Sequence, residues 1–451
     1  MKTGSVKYSI GSQTGLRFDA SFHLSEGLVV KRKIASSPFE MLTIKDVTSD
    51  IFYGNRAKRV YVTKRENGIP FLSSSDILQA DLENVKLASK KYTPCIEQMK
   101  LKKGWTLISR SGTIGNCAFA NAKHAQKLAS EHVIRLVPNN ILRGGLVYAY
   151  LASNHGHSLL TQGTFGAVIQ HIEPNFIASL PIPKFPEAFQ QEVDNLIQES
   201  ARLREEATDA LKEAHNMIEH KFLIEGEKKS YCVPITSILA SHNKRFEASY
   251  HTSRNRSIYD YITQNFEYKK LGELTERIFR PGIFKREYVS NGVTFLGGAD
   301  ILMAIPNSDK KLSFRQVKKM PELKVKKDWI LVTCGGTIGN TVLIDSQLEE
   351  CVISQHVMRV VPKEDVLKGY LYAVLSSRVG HELITLFTTG SVIPQIESHH
   401  LDLVPIPLLD KQEMEKIDRL VFTYVSKIEI SKGKETRAIS MVEDEIEKWN
   451  S

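Results

Sequence analysis

The sequence predicts a duplicated α+β protein: two tandem globular domains related by a pseudo-two-fold axis, separated by two long helices that pair as an antiparallel coiled coil. Three observations carry this expectation. The chain repeats itself at a fixed spacing, each repeat mixes short β-branched runs with short apolar helices, and each closes on a long amphipathic stretch.

The repeat sets the frame. IPFLSSSDI at 69–77 returns as VTFLGGADI at 293–301, GTIGN at 112–116 as GTIGN at 336–340, and EHVIRLVP at 131–138 as QHVMRVVP at 355–362. GAVIQHI at 166–172 matches GSVIPQI at 390–396, and LPIP at 180–183 matches VPIP at 404–407. From Ile69 onward the shift is 224, as from Gly112 to Gly336. The leaders RFDASFH (17–23) and RFEASYH (245–251) differ by 228, which places the insertions between about residues 24 and 68.

The first long helix is expected from about Glu187 to Glu225. It holds no Pro or Gly, and Val193, Ile197, Ala201, Ala207, Leu211, Ala214, Ile218 and Phe222 recur at three/four spacing. Pro186 suits a helix start and Gly226 a helix end. At ~1.5 Å per residue this is a rod of roughly 60 Å, whose narrow apolar face wants a partner helix. The 224-residue shift supplies one over Lys411–Trp449, with Ile417, Val421, Val425, Ala438, Val442 and Ile446 in the matching places. Gly433 weakens its middle by about 1 kcal/mol relative to Ala and leaves its length in doubt.

Within the globular parts, Thr106–Ser109, Val133–Val137, Ile330–Thr333 and Val357–Val361 read as strands. Leu146–Ser153, Asn154–Thr161, Tyr370–Ser377 and Arg378–Thr385 read as helices. Pro181 and Pro183, with Pro405 and Pro407, are expected to end the strand register and turn the chain into each rod. The expected domains are residues 1–183, 184–230 (central helix), 231–407 and 408–451 (C-terminal helix).

Composition narrows the function. A chain of 451 residues exceeds one hydrophobic core, and 42% apolar with 25% charged residues is ordinary for a globular protein. A net charge of +9 favours a polyanionic partner. The N-terminal MKTGSVKYSIGSQTG lacks the apolar core of a signal peptide, and no apolar run reaches the ~18 residues of a membrane span. A cytoplasmic protein is expected. The five cysteines never form CxxC, so free thiols are expected rather than disulfides or zinc.

Where the copies differ, they differ in polar residues. FYGNRAKRVYV (52–62) answers to FRPGIFKREYV (279–289), setting Asn55, Arg56, Lys58 and Arg59 against Arg280, Lys285 and Arg286. A basic cluster that recurs while its residues change suits two readers of different base sequences, although a solvated loop would look similar. A second varied strip sets Ser73, Ser74 and Ser75 against Gly297–Ala299, and a third sets 162–165, with Gln162 and Thr164, against 386–389, with Thr388 and Thr389. Arg110 and Thr113 of SRSGTIGN, and Thr333 and Thr337 of TCGGTIGN, complete the DNA-binding candidates. GTIG is neither GxGxxG nor a P-loop, so a tight turn is preferred to a phosphate cradle. Trp105 and Trp329 read as core aromatics, and His155/His157 and His399/His400 as surface histidines. No Pro-Pro dipeptide, Walker A loop, HExxH or GxSxG occurs, and no catalytic or metal site is read.

In the order SRSGTIGN/TCGGTIGN, then IQHIEPNFIASLPIP/IPQIESHHLDLVPIP, then a long helix, the whole chain resembles the specificity (S) subunits of type I restriction–modification systems. The RFDASFH and RFEASYH leaders also resemble related type IIB specificity subunits. The resemblance implies two target-recognition domains reading a bipartite double-stranded DNA site, with the helices fixing the spacer and docking two methyltransferase (M) subunits. It also implies restriction (R) subunits, and no cofactor in this chain. S-adenosylmethionine, ATP and Mg would belong to the partners, which flip and methylate adenine at N6. The alternative from another class is a two-domain protein-binding scaffold with a helical spacer and no DNA readout. A nuclease with an unrecognised site is a third.

Overall fold

The computed structural model describes residues 23, 25–56, 58–164, 170–224, 232–241, 244–390 and 394–449. Cα packing divides the chain into two units, Met1–Glu205 with Ile430–Ser451, and Glu206–Glu429. Each long helix is therefore shared between the units.

In the first unit a four-stranded sheet runs in the order Thr48–Tyr53, Val133–Pro138, Thr106–Ser109, Cys117–Phe119, every neighbour antiparallel. A second sheet orders Tyr61–Val62, Leu87–Ser89, Gly68–Leu72 and Leu128–Ala129, its last pair parallel. The second unit repeats the plan. Thr275–Phe279, Val357–Pro362, Ile330–Thr333 and Thr341–Leu343 form its main sheet, and Lys311–Leu312, Tyr288–Leu296 and Val352–Ile353 its smaller one. The expected strands and short helices appear, the latter as Gly144–Ala152, Asn154–Gln162, Lys368–Ser376 and Arg378–Leu386.

The LPIP segments correct an expectation. Pro181–Pro183 pairs with Met41–Thr43, and Pro405–Pro407 with Tyr268–Lys270, each as a two-stranded antiparallel ribbon. Proline lacks an N–H, but in a ribbon with only one neighbour half of the main-chain donors have no ladder partner to lose. The central Ile182 and Ile406 are wholly buried.

The first long helix spans Glu187–Phe222 and the second Lys411–Glu447. Gly433 does not interrupt the second: it lies within the helix with open space around it, so the helix absorbs its propensity cost. The expected stop at Gly226 lies outside the described residues. In the first unit Val193, Ile197 and Ala201 share a core with Ala438, Val442 and Ile446. In the second, Leu211, Ala214, Ile218 and Phe222 share one with Ile417, Val421 and Val425. Ion pairs run in opposite sense along the two helices, Glu199 to Lys434 (2.8 Å) and Glu192 to Arg437 (3.7 Å) in one unit, Glu213 to Lys416 (3.1 Å) and Lys221 to Glu413 in the other. These pairs are partly exposed and worth about 0–1 kcal/mol each, so apolar burial holds the helices.

One stretch of the first unit's helix pair is polar inside. Glu435, 4% exposed, accepts from the Tyr148 hydroxyl and from Ser200 Oγ (3.3 Å) and forms an ion pair with Arg204 Nη2 (2.7 Å), while Ser200 Oγ meets Ser431 Oγ at 2.9 Å. At the equivalent places the second unit has Leu211, Tyr372, Tyr424, Ile428 and Ala207, with the two tyrosine rings stacked at 6.4 Å.

Two arginines are buried completely. Arg135 donates to the main-chain oxygens of Ser130 (3.0 Å), Val133 (2.6 Å), Met99 (3.3 Å) and Ala129 (2.5 Å). Arg359 donates to those of Ser354 (2.9 Å), Val357 (2.5 Å), Leu323 (3.2 Å) and Ile353 (2.5 Å). Burial pulls each guanidinium down to about 10, and the carbonyl cage offsets that cost. Each arginine thereby ties the two sheets of its unit together through main chain alone.

The histidine expectation fails in part. His155 is buried and its Nε2 lies 2.8 Å from Glu447, and His400 is buried with Nδ1 accepting from the Glu397 N–H at 3.1 Å. His155 meets the long C-terminal helix at Glu447, a partner that a linear motif does not reveal. Trp105 and Trp329 are half-buried, edge-on to Phe52 and Phe279. No group of His, Cys, Asp or Glu among the described residues could hold a metal ion. Among them, no helix is long and apolar enough to cross a membrane.

Candidate nucleic-acid interface

Each GTIG segment is a turn joining two antiparallel strands, with Gly112 and Gly115 at φ +79° and +81°, and Gly336 and Gly339 at +80° and +87°. These left-handed angles explain the glycine pair: an L side chain there would be strained. The turn presents Thr337 to solvent and half-buries Thr113, whose Oγ1 lies 3.0 Å from Ser109 Oγ.

Beside the turn, both units set an arginine from the basic loop over a buried phenylalanine. Arg59 lies 5.0 Å above the Phe71 ring and pairs with Glu131. Arg286 lies 5.4 Å above Phe295 and donates to Gln355 Oε1 at 3.3 Å. The guanidinium is kept, and its partner changes from a carboxylate to an amide.

A second guanidinium is kept while the strand that supplies it is exchanged. In the first unit Arg110, after the strand Thr106–Ser109, sits 4.3 Å over the Tyr53 ring and pairs with Glu173. In the second, Arg280 stands where the repeat has Tyr53, Cys334 stands where it has Arg110, and Arg280 pairs with Glu397 at 2.8 Å.

The serine strip is a small hydrogen-bonded turn. The Ser73 N–H donates to Asp76 Oδ2 (2.8 Å), and Ser73 Oγ meets Ser75 Oγ at 3.1 Å. Ser74 Oγ is the nearest neighbour of Gly112, 3.9 Å from where a Cβ would stand. Next to it Ser111 Oγ lies 2.7 Å from His132 Nδ1, and His132 stacks on His171. Desolvation pulls the His132 imidazole below its ordinary value; Glu131 opposes this, and Arg59 and Arg110 add to it.

In the second unit the same neighbourhood is a cleft of about 280 Å³, lined by Arg286, Gly297–Ala299, Thr333, Gly335–Thr337 and His356. The structure thus brings the basic loop, the varied strip and the GTIG turn to one place. Thr389 pairs through main chain with Gln395, which bridges to Gly335, and Arg245 of the RFEASYH leader donates to Thr388 O at 3.1 Å. Of the first leader only His23 is described. A larger cleft of about 590 Å³ in the first unit is lined by none of the candidates, and two of its cations, Arg143 and Lys103, are already paired with Glu187 and Glu205.

The remaining candidates divide by exposure. Arg56, Lys58 and Lys285 are exposed with no ion-pair partner among the described residues, and Asn55 donates to Gln98 Oε1 at 2.6 Å. Thr164 is half-buried, its N–H bonded to Thr161 O. Two expectations are corrected. Gln162 is 6% exposed, because it lies on the helix face that packs against Gly27, where a Cβ would stand 2.8 Å from its own. Thr333 is 2% exposed, and its hydroxyl accepts from the Asn340 N–H at 3.0 Å, closing the hairpin rather than facing a ligand. His132, His356, Glu131 and Gln355 were missed by sequence reasoning, although their tandem place in EHVIRLVP and QHVMRVVP, beside strands, was visible.

The chain matches the family described as type I restriction modification DNA specificity domain twice, over residues 36–200 and 263–439. The type I restriction enzyme MjaIX specificity subunit of Methanocaldococcus jannaschii is 22% identical over 187 residues, 40% of this chain and 42% of that relative. The match thus spans less than half of the relative's length. The crystal structure of a type I restriction–modification S subunit from M. genitalium aligns with TM-score 0.36 and 14% identity, over 92% of this chain and 96% of that one. The HsdS subunit of Thermoanaerobacter tengcongensis aligns with TM-score 0.29 and 14% identity, over 91% and 96%. With one match in each half of the internal repeat, together more than half its length, the chain belongs to the type I restriction modification DNA specificity domain family.

Proposed function

We propose that this chain is the DNA sequence-specificity subunit of a type I restriction–modification complex, without catalytic activity of its own. The observation that carries the reading is the twice-built face of arginines and GTIG turn, whose scaffold is retained while its contact residues change. Residues 1–183 and 231–407 are the two recognition domains in this reading, each for one half of a bipartite double-stranded site. Segments 184–230 and 408–451 dock two methyltransferase subunits. Restriction subunits complete the complex, which works in the cytoplasm. S-adenosylmethionine, ATP and Mg act in the partner subunits.

Arg56, Lys58 and Lys285 are phosphate contacts, being exposed cations, and Arg59, Arg110, Arg280 and Arg286 are held where they can meet base edges. The test is a domain exchange. Replacing residues 1–183 by those of another specificity subunit, with the methyltransferase present, changes one half of the methylated motif and leaves the other. A change in both halves overturns the two-reader assignment. Methyl transfer by the purified chain alone overturns the assignment of chemistry to partners.

A further inference from the structure

The two reading faces are not equivalent, and the differences fall around one point. In the first unit Ser73, Ser74, Ser75 and Ser111 crowd the turn, Ser111 fastens His132, and the Glu131 carboxylate neutralises Arg59. In the second unit these four serines are Gly297, Gly298, Ala299 and Gly335, and Glu131 is Gln355. Arg286 accordingly has a neutral amide as its hydrogen-bond partner where Arg59 has a carboxylate. His356 turns an exposed imidazole toward the recess, with a 3.4 Å contact to Gln355 as its side-chain bond. Lys310 and Thr337 line the same cleft. Asp300 lines it too, its Oδ2 accepting from the Gly297 N–H at 2.8 Å; the cations Arg286 and Lys310 and the His356 imidazole share a hollow of about 280 Å³, where the first unit has hydroxyls and an ion-paired arginine.

We infer that the second domain reads a guanine, its N7 and O6 edge entering the recess between Arg286 and His356, and that the first domain lacks this readout. An acceptor-only edge is the base chemistry that such a donor set selects; adenine offers an amino donor in the place of O6 and is disfavoured. Gly335 and Gln355 are positioning residues in this scheme, one offering no hydroxyl to the imidazole and the other no counter-charge to the guanidinium.

The inference rests on the specificity-subunit reading, and one experiment separates the two. The full chain with its methyltransferase partner is titrated against duplexes randomised in each half-site, for wild type, Gln355→Glu and Gly335→Ser. Both variants are compatible with the fold. The first is isosteric, and a Cβ at Gly335 meets only the movable His356 ring, at 3.2 Å. Wild type requires guanine at one position of the second half-site. Gln355→Glu lowers that preference about tenfold or more, Gly335→Ser lowers it likewise, and the first half-site profile is unchanged. A second half-site without such a guanine, or a guanine preference that neither variant moves, overturns this inference while the specificity-subunit reading stands. Absence of sequence-specific binding by the wild-type complex overturns both.

Discussion

Replacing Glu435 by leucine tests how the helix pair is held in the first unit. The carboxylate is shared by Tyr148, Ser200 and Arg204 in a place only 4% exposed. Removing one partner from a buried ionic cluster costs about 3–5 kcal/mol, because Arg204 loses the Glu435 carboxylate. For a unit of this size that lowers Tm by roughly 6–20 °C. The second unit supplies the rescue, since it places Leu211 and Ile428 where the first has Glu435 and Arg204. Glu435→Leu with Arg204→Ile is therefore expected to lose only about 1–2 kcal/mol, the Tyr148 hydroxyl losing its acceptor while Ser200 Oγ keeps Ser431 Oγ. Denaturant unfolding of wild type, both single variants and the double variant closes the cycle, with a coupling of about 2 kcal/mol or more. A double variant no more stable than Glu435→Leu refutes the argument that loss of the Glu435–Arg204 pair is the main penalty.

Three further outcomes are expected. Gly433→Ala stabilises the chain by about 1 kcal/mol in the same unfolding assay, because the new methyl meets nothing within 4 Å and helix propensity improves. His124 is buried, bonded to Asn121 and near Ile77 O, and desolvation lowers its pKa to about 4. Between about pH 6.5 and 4 the unfolded chain binds the proton that the folded chain refuses. Stability therefore falls on acidification through that window, by up to roughly 3 kcal/mol, and His124→Gln flattens the profile. Arg56→Ala and Lys58→Ala each reduce the slope of log binding constant against log salt by about 1, without altering sequence preference, in a DNA shift titration.

The duplication and the helices were legible because their signals are long and repeated: eight apolar residues at helical spacing leave few alternatives, and a second copy removes more. The GTIG turn was legible because two glycines at fixed spacing demand left-handed backbone. What was hidden depends on partners distant in sequence. Pro181–Pro183 becomes a strand only because Met41–Thr43 lies beside it. No local pattern around Arg135 or Arg359 announces a cage of carbonyls. His155 reads as exposed until Glu447 closes over it. At the candidate interface, the basic loop and serine strip were visible as differences between copies. The pairing of Arg59 with Glu131, and of Arg286 with Gln355, needed the fold to join residues about 70 positions apart.

The carbonyl cages of Arg135 and Arg359 bear on how such a protein can change its target. A clasp made from peptide oxygens is indifferent to which side chains hang from those peptides. Mutations on the reading face can therefore accumulate without loosening the sheets behind it. The two halves of this chain, alike in their clasp and unlike in the side chains of their candidate interfaces, show that freedom in use.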